Sequence, residues 1–246
     1  MIDFEQVVKE YMQSKRREQK PYDNILYASE LGQCKRKIFY KYKQPKDVPE
    51  EALSVFEMGN LTHEKLEEIL KGVNKEELGI DKIYTEIDYP IIIFDGEPVR
   101  IGGRLDGLLI LKDGSKIVVE FKSIGSSKWK KAGETIDSFS MLSEPKPEHV
   151  IQSHLYMFST GARKSLIIYC DKNTFRIKQF EVNYDKDILN KAVDRAKDVN
   201  KSLVNDLIPI PESKMLQHRR WECNYCAWKE ECDEYERIKK QGGKDG

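Results

Sequence analysis

The sequence predicts an α/β fold, a mixed central sheet flanked by helices, and three observations lead there. Residues 2–72 carry helical periodicity in three blocks. Residues 82–124 hold three segments rich in Ile, Val and Leu, parted by Asp-Gly turns. From residue 147 a helix precedes two more strands and a long helix. Strands interspersed with helices in this order pack as one sheet with helices laid on its faces.

Each element has its own signal. Residues 2–20 alternate charged and apolar side chains at a helical period. Ser29 reads as the N-cap of a second helix reaching about Lys43, which Pro45 and Pro49 end. Pro49 suits the first turn of a third helix through Leu70, and Gly72 suits its stop. Segments 82–94, 99–111 and 115–124 form an antiparallel meander, with Asp95-Gly96 and Asp113-Gly114 as its hairpin turns. Residues 125–147, rich in Gly, Ser and Lys, read as a long loop with room for a short helix. A helix at 147–160, strands near 164–171 and 175–183 and a helix over 185–207 follow. A cysteine segment and a charged helical tail complete the order.

Composition narrows the class. Of 246 residues, 39% are hydrophobic and 34% charged, which suits a well-solvated globular chain rather than a disordered one. No apolar run is long enough to span a membrane, and the N-terminus lacks the apolar core of a signal peptide, so a cytoplasmic location is expected. Net charge is zero, but the basic residues cluster. Lys35, Arg36, Lys37, Lys41 and Lys43 are interleaved with Phe39, Tyr40 and Tyr42. Lys128-Trp129-Lys130-Lys131 and His218-Arg219-Arg220-Trp221 repeat the theme. Basic groups beside aromatics suit a phosphate backbone and its bases, and a solvated face is the alternative.

The chemistry centres on GGRLDG at 102–107 and VVEFKS at 118–123. Glu120 and Lys122 stand two apart on one strand and so share a face, and the hairpin at Asp113-Gly114 brings Asp106 beside them. Two carboxylates and a lysine are what metal-assisted phosphodiester hydrolysis requires: hard oxygen ligands for Mg²⁺ or Mn²⁺, and an ammonium for transition-state charge. Gly59, His63 and Glu67 recur at four-residue spacing on one helix face, with Gly59 allowing close approach and His63 a candidate metal ligand. Gln152 and Tyr156 share a face of the helix at 147–160, with His149 a turn earlier. Cys223, Cys226 and Cys232 form a Cx2Cx5C trio that calls for a metal. His218 would complete a local zinc site and Cys34 an iron–sulfur set, and spacing alone does not choose between them. Cys170, in LIIYC, reads as a core thiol.

GxxxH, GxxD, ExK and QxxxY in this order resemble the RecB-like branch of the PD-(D/E)xK nucleases, over about residues 59–156. The resemblance implies a restriction-endonuclease-like fold. It implies metal ligation by His63, Asp106, Glu120 and the Phe121 carbonyl, catalysis by Lys122, and positioning of nucleic acid by Gln152 and Tyr156. One cysteine ahead of the nuclease core plus the C-terminal trio is similar to the iron–sulfur members, among them the CRISPR-associated "Cas-four" exonucleases. This implies a 4Fe–4S cluster on Cys34, Cys223, Cys226 and Cys232 in place of Zn²⁺ on His218 and the trio. With both signatures the likeness covers about residues 27–235. It implies one nuclease domain over 1–246, with a core of about 50–207 and an iron–sulfur lobe from about 22–48 and 208–240. The implied partner is DNA, single-stranded or with free ends, contacted also by Lys35, Arg36, Lys128 and Lys130. Spacer-integration or recombination proteins are the implied protein partners: the segment between Lys122 and Gln152 is longer than in compact CRISPR-linked members, and its KPEHVIQSHLYM exit resembles phage-encoded relatives, so a role in phage or mobile-element recombination and replication stands beside spacer acquisition. A non-catalytic DNA-binding or assembly module on the same fold is the alternative.

Overall fold

A computed structural model describes residues 3–15, 22–93, 99–131 and 134–242. The first helix, α1 (Phe4–Ser14), is capped by Asp3, whose carboxylate accepts from the Gln6 N–H at 3.1 Å. Strand β1 (Ile25–Tyr27) and helix α2 (Lys35–Lys43) follow, then α3 (Glu50–Lys71). The meander comes next as β2 (Ile80–Ile93), β3 (Arg100–Leu111) and β4 (Lys116–Ile124). A small ribbon, β5 (Lys128–Lys131) and β6 (Glu134–Asp137), leads to α4 (Pro147–Thr160), β7 (Lys164–Asp171), β8 (Ile177–Asn183) and α5 (Lys186–Val204). The chain closes with α6 (Glu212–Met215), a 3-10 segment (Gln217–Tyr225) and α7 (Lys229–Gly242). No helix among the described residues is long and apolar enough to cross a membrane.

The sheet is mixed, as expected. Its order is β1-β3-β4-β7-β8, with β2 along the other edge of β3. β2, β3 and β4 pair antiparallel, β4 and β7 pair parallel, and β8 returns antiparallel. β2 follows β3 along its length, so β1 and β4 must share the opposite edge. β1 takes Arg100–Gly102 there, while the β4 ladder begins at Ile110 and ends at Gly107↔Val119. Residues 103–106 therefore face a gap between β1 and β4, and Asp106 lies in it.

Both faces of the sheet are packed. Leu66 of α3 covers Leu109, Val119, Phe121 and Cys170 on one side, and Cys170 is the core thiol expected of it. On the other, Leu155, Tyr156 and Met157 of α4 join Ala192, Ala196 and Val199 of α5 over Leu105 and Val118. Gly103 is required there. A Cβ at this position would stand 2.4 Å from the Tyr156 hydroxyl oxygen, well inside contact distance.

Three expectations need correction. Ser29 caps no helix; residues 28–33 form turns and α2 starts after Cys34. Buried Ala28, Glu30 and Leu31 explain the delay: the Tyr42 hydroxyl donates to Glu30 at 2.8 Å and Lys41 pairs with the same carboxylate, tying the turn back onto the helix. Pro49 stands just ahead of α3 rather than in its first turn. Among its described residues the 125–147 stretch holds no helix before α4 but carries the β5–β6 ribbon, whose Lys-Trp-Lys-Lys and Glu-Thr-Ile-Asp strands have too few apolar residues to announce a sheet. Residues 16–20 of the first helix and the Asp95-Gly96 turn fall outside the described residues.

The foot of the ribbon is built around Asp171, a carboxylate with no solvent exposure. It accepts from Ser126 Oγ and the Asn173 N–H at 3.0 and 3.1 Å, from Thr174 Oγ1, and from Arg176, which also grips Asp137 at 2.8 Å. Burial pushes the Asp171 carboxyl up, but the bonds from Thr174, Asn173, Arg176 and Ser126 outweigh it and leave it at about 2. A carboxylate held below its unfolded value stabilises the fold above that value and stops doing so as pH falls through the folded one. Asp171→Asn is therefore expected to cost roughly 2–4 kcal/mol at pH 7. In urea unfolding, the gap between wild type and variant should narrow between about pH 4 and pH 2. A gap unchanged by pH would contradict the ionised role.

Candidate active site

Asp106 sits where the β3–β4 ladder stops, and it takes over one of the ladder's bonds. Its Oδ2 accepts from the backbone N–H of Phe121 at 2.7 Å, filling the place of the absent cross-strand carbonyl. A strand residue projects N–H and C=O to the same edge, so the Phe121 carbonyl also leaves β4 on the gap side. The other carboxylate oxygen of Asp106 faces His63 Nδ1 at 3.6 Å. His63 comes from α3 and leans edge-on to the Phe121 ring. Gly59, a turn earlier, lets α3 approach: a Cβ there would stand 3.3 Å from Ser123 Oγ. Glu67 turns away from the gap to accept from Thr85 at 2.6 Å and pair with Lys71.

Glu120 and Lys122 share the α4 face of β4. Lys122 Nζ donates to Glu120 Oε1 at 2.5 Å and to Gln152 Oε1 at 3.0 Å. Gln152 Nε2 in turn donates to the Tyr156 hydroxyl at 3.4 Å, which donates to the Arg104 carbonyl at 3.1 Å. Gln152 and Tyr156 are both buried, so this chain fixes the lysine from behind. His149 is beside it, its Nδ1 2.7 Å from the Tyr169 hydroxyl. Burial, aided by Lys122 and Lys146, pushes its pKa down to about 2, so the ring is neutral.

Glu120 is the anomaly. Its side chain is almost wholly buried, and its Oε2 has no hydrogen-bond partner. Burial raises its pKa far above the ordinary carboxylate value, nearby Asp106 raises it further, and Lys122 opposes both. An unpartnered buried carboxylate oxygen next to a second carboxylate is costly unless a cation offsets it. The donors Asp106, Glu120, His63 and the Phe121 carbonyl fit a hard divalent ion in kind. They are not drawn into a closed shell: among the described residues no group of three or more His, Cys, Asp or Glu side chains is gathered to hold a metal.

The remaining cysteines converge elsewhere. Cys34, Cys223, Cys226 and Cys232 line one cavity of about 30 Å³ with Tyr40 and Trp228. Burial raises the thiol pKa of Cys223 and Cys226, and neighbouring cysteines add to it, as expected where four soft donors crowd together without a cation. His218 is exposed and does not line this cavity. The donor set at the cavity is thus four thiols, a kind that suits an iron–sulfur cluster, although these too fall short of a closed ligand shell.

Two expected DNA contacts are corrected. Arg36 is 3% exposed; it donates to the Pro209 carbonyl at 2.6 Å, to Glu236 at 2.7 Å and to Cys232 Sγ at 3.5 Å. Lys35 pairs with Asp198 at 2.7 Å, and its backbone N–H donates to Glu212. Arg36 is buried against the C-terminal segment, and Lys35, partly exposed, has its ammonium engaged by Asp198. Lys128 and Lys130 do remain exposed on the ribbon. The motifs gave no sign of Ser123 and Lys172, which flank Gly59.

No family model matches the chain. It is similar to the CRISPR-associated exonuclease Cas4 of Saccharolobus solfataricus, with 26% identity over 212 residues covering 85% of this chain and 88% of that protein. The crystal structure of SSO0001 aligns with a TM-score of 0.59 and 23% identity over 92% of this chain and 93% of the other. An alkaline exonuclease from Laribacter hongkongensis aligns with a TM-score of 0.49 and 13% identity over 75% of this chain and 90% of the other. The mixed sheet, with two carboxylates and a lysine at the parting of two strands, is the fold that the chain shares with SSO0001. By sequence the chain is similar to a CRISPR-associated exonuclease of the Cas4 type.

Proposed function

We propose that the chain is a DNA exonuclease that requires Mn²⁺ or Mg²⁺ and prefers single strands or free ends. The observation that carries this reading is the buried Glu120 Oε2 without a partner, beside Asp106 and the Lys122–Gln152 pair. His63, Asp106, Glu120 and the Phe121 carbonyl would hold the cation, which supplies Lewis-acid polarisation of the phosphate and acidifies water. Lys122 Nζ, held by Gln152, presents a positive charge to the negative charge that builds on the phosphate. Tyr156 holds Gln152 and so sets the direction of that ammonium. Cys34, Cys223, Cys226 and Cys232 would hold a 4Fe–4S cluster with a structural task, and zinc on His218 and the trio is the second reading. Lys128 and Lys130 would meet the backbone of the strand. The biological setting we favour is CRISPR spacer acquisition, or recombination and replication in a phage or mobile element; the similar protein of Saccharolobus solfataricus is named a CRISPR-associated exonuclease. Spacer-integration or recombination proteins are the corresponding partners.

The test uses labelled single-stranded and duplex DNA with the purified protein in Mn²⁺ or in EDTA. Cleavage from an end, faster on single strands and stopped by EDTA, is the expected result. Binding without cleavage under every metal condition would favour a non-catalytic assembly module instead.

A further inference from the structure

The basic and aromatic run His218-Arg219-Arg220-Trp221 lies in the 3-10 segment of the cysteine lobe, and its members divide by what they meet. Arg219 is engaged inside the protein, donating to Glu222 at 2.6 Å and to the Gly32 carbonyl at 2.9 Å. Arg220 and Trp221 stay at the surface, and Trp221 is 49% exposed where Trp228 of the same lobe is buried. A half-exposed indole carries little meaning by itself, because much of any folded surface is apolar. Its surroundings carry more. Lys146 Nζ stands over the Trp221 ring, 5.8 Å from its centroid, and among the described residues no carboxylate pairs with Lys146 or Arg220.

This surface adjoins the candidate active site. α4 is the crossover between the parallel strands β4 and β7, so it runs back along them and starts at their C-terminal edge, the edge that carries Lys122. Lys122 and Tyr169 are register partners, side by side on the face that α4 covers. The Tyr169 hydroxyl accepts from the Lys146 backbone N–H at 2.9 Å. Lys146 is therefore rooted beside Lys122 and lays its ammonium on Trp221. A second contact fixes the lobe here. A Cβ on Gly32 would stand 2.3 Å from Glu148 Cβ, so the turn before α2 lies directly on the first turn of α4, and Arg219 holds that turn by its carbonyl. Along α4, Lys146 and Gln152, the partner of Lys122, are roughly 9 Å apart.

We propose that Trp221 is a stacking platform for an unpaired base of the DNA strand entering the active site, with Lys146 and Arg220 meeting the neighbouring phosphates. This deepens the DNA-nuclease reading above and rests on it. An indole face accepts any base that is free of a partner, whereas the bases of a duplex are already stacked and paired. The ring would thus distinguish a single strand from a duplex without regard to sequence, and the two cations would add a salt-sensitive hold. The stacked base would lie to one side of the cut rather than at it, because Lys146 stands more than a turn of α4 from Gln152.

Single-stranded oligonucleotides with one abasic nucleotide, moved a position at a time along the strand, test this in a thermodynamic cycle with Trp221→Ala. Their binding, and that of a fully paired duplex, is measured with Mn²⁺ and Mg²⁺ withheld so that nothing is cut. Trp221→Ala should weaken binding of the intact single strand roughly tenfold and leave duplex binding within about twofold of wild type. One abasic position should weaken wild type by a similar factor, yet add little to Trp221→Ala. Trp221→Phe should keep most of the affinity, and Arg220→Gln should reduce the salt slope by about 0.7. In Mn²⁺, Trp221→Ala should raise KM on single strands more than it lowers kcat. Unchanged single-strand affinity would overturn the platform, as would abasic effects that add to Trp221→Ala at every position. Equal losses on single strand and duplex with a lowered melting temperature would also overturn it, since they mark an indole that only packs beneath Lys146. A wild-type protein that neither binds nor cuts DNA would overturn the platform and the parent reading together, and that result is visible without any variant.

Discussion

Asp106→Asn is expected to lower metal-dependent DNA cleavage by about a thousandfold or more while leaving the protein as stable as wild type, or more so. The two halves of this expectation have separate causes. An amide oxygen can still accept from the Phe121 N–H, so the join between β3 and β4 survives. What disappears is one negative charge beside Glu120, whose pKa is raised chiefly by burial and further by that charge. Removing the charge relieves the carboxylate pair and would at the same time take a ligand from the proposed divalent-ion site. Lys122→Ala is expected to lose roughly a hundred- to a thousandfold by another route, through the absent ammonium. It also strands Glu120 Oε1 and Gln152 Oε1, so it should melt at a lower temperature, unlike Asp106→Asn. Timed hydrolysis of labelled single-stranded DNA with thermal melts on the same preparations checks both. Either variant retaining activity within tenfold of wild type would sink the assignment.

Cys34→Ser should have the second largest effect. Cys223, Cys226 and Cys232 lie close in sequence, whereas Cys34 arrives from the other end of the chain, so it alone ties the segment before α2 to the segment around α7 through the proposed cluster. Wild type purified without oxygen should be brown and carry about four iron atoms per chain. The variant should be colourless or bleach quickly, and its melting temperature should fall by roughly 10 °C or more, because metal binding that occurs only in the folded state is folding free energy. The lobe would not come apart altogether. Arg195 grips Glu212 at 2.7 and 2.9 Å and also donates to the Leu31 carbonyl at 2.7 Å, and Trp228 Nε1 donates to the Gln44 carbonyl at 2.7 Å. Colourless wild type with one zinc per chain, lost on His218→Ala, would move the site to the local zinc reading.

The meander, the parallel crossover and the α3 and α4 faces were legible because their side chains repeat at the periods that burial imposes. The convergence of Asp106, Glu120 and Lys122 was legible as well, since a strand's alternation and a hairpin's register are fixed by geometry, whereas the bond from Lys122 to Gln152 of α4 was not. Three further kinds of feature were not. β1 is three residues long, too short for any period to appear. The β5–β6 ribbon has four-residue strands with one apolar residue each, the paired Trp129 and Ile136, too few for a period to show. Arg36 reads as a DNA contact because it stands in a basic run, but side-chain reach within a helix does not reveal that the facing surface belongs to Glu236 and Pro209. Lys172 escaped for the opposite reason: its meaning lies in what it meets across the fold, at Gly59 and Val55, and neither is near it in sequence.

The contact between Arg36 and Cys232 spans 196 residues. During synthesis the α2 segment leaves the ribosome early and waits, its buried arginine and thiol without partners, until almost everything between has been made. The sheet and its catalytic gap can assemble in that interval, since β1 through β8 are all made before Cys223. Lobe closure is then the last event, and it costs little more than a shorter loop would, because closure entropy grows only with the logarithm of length. Installing the proposed cluster would report that synthesis has passed the cysteine trio: a chain interrupted upstream of Cys223 would hold Asp106, Glu120 and Lys122 but not the clasp that secures them.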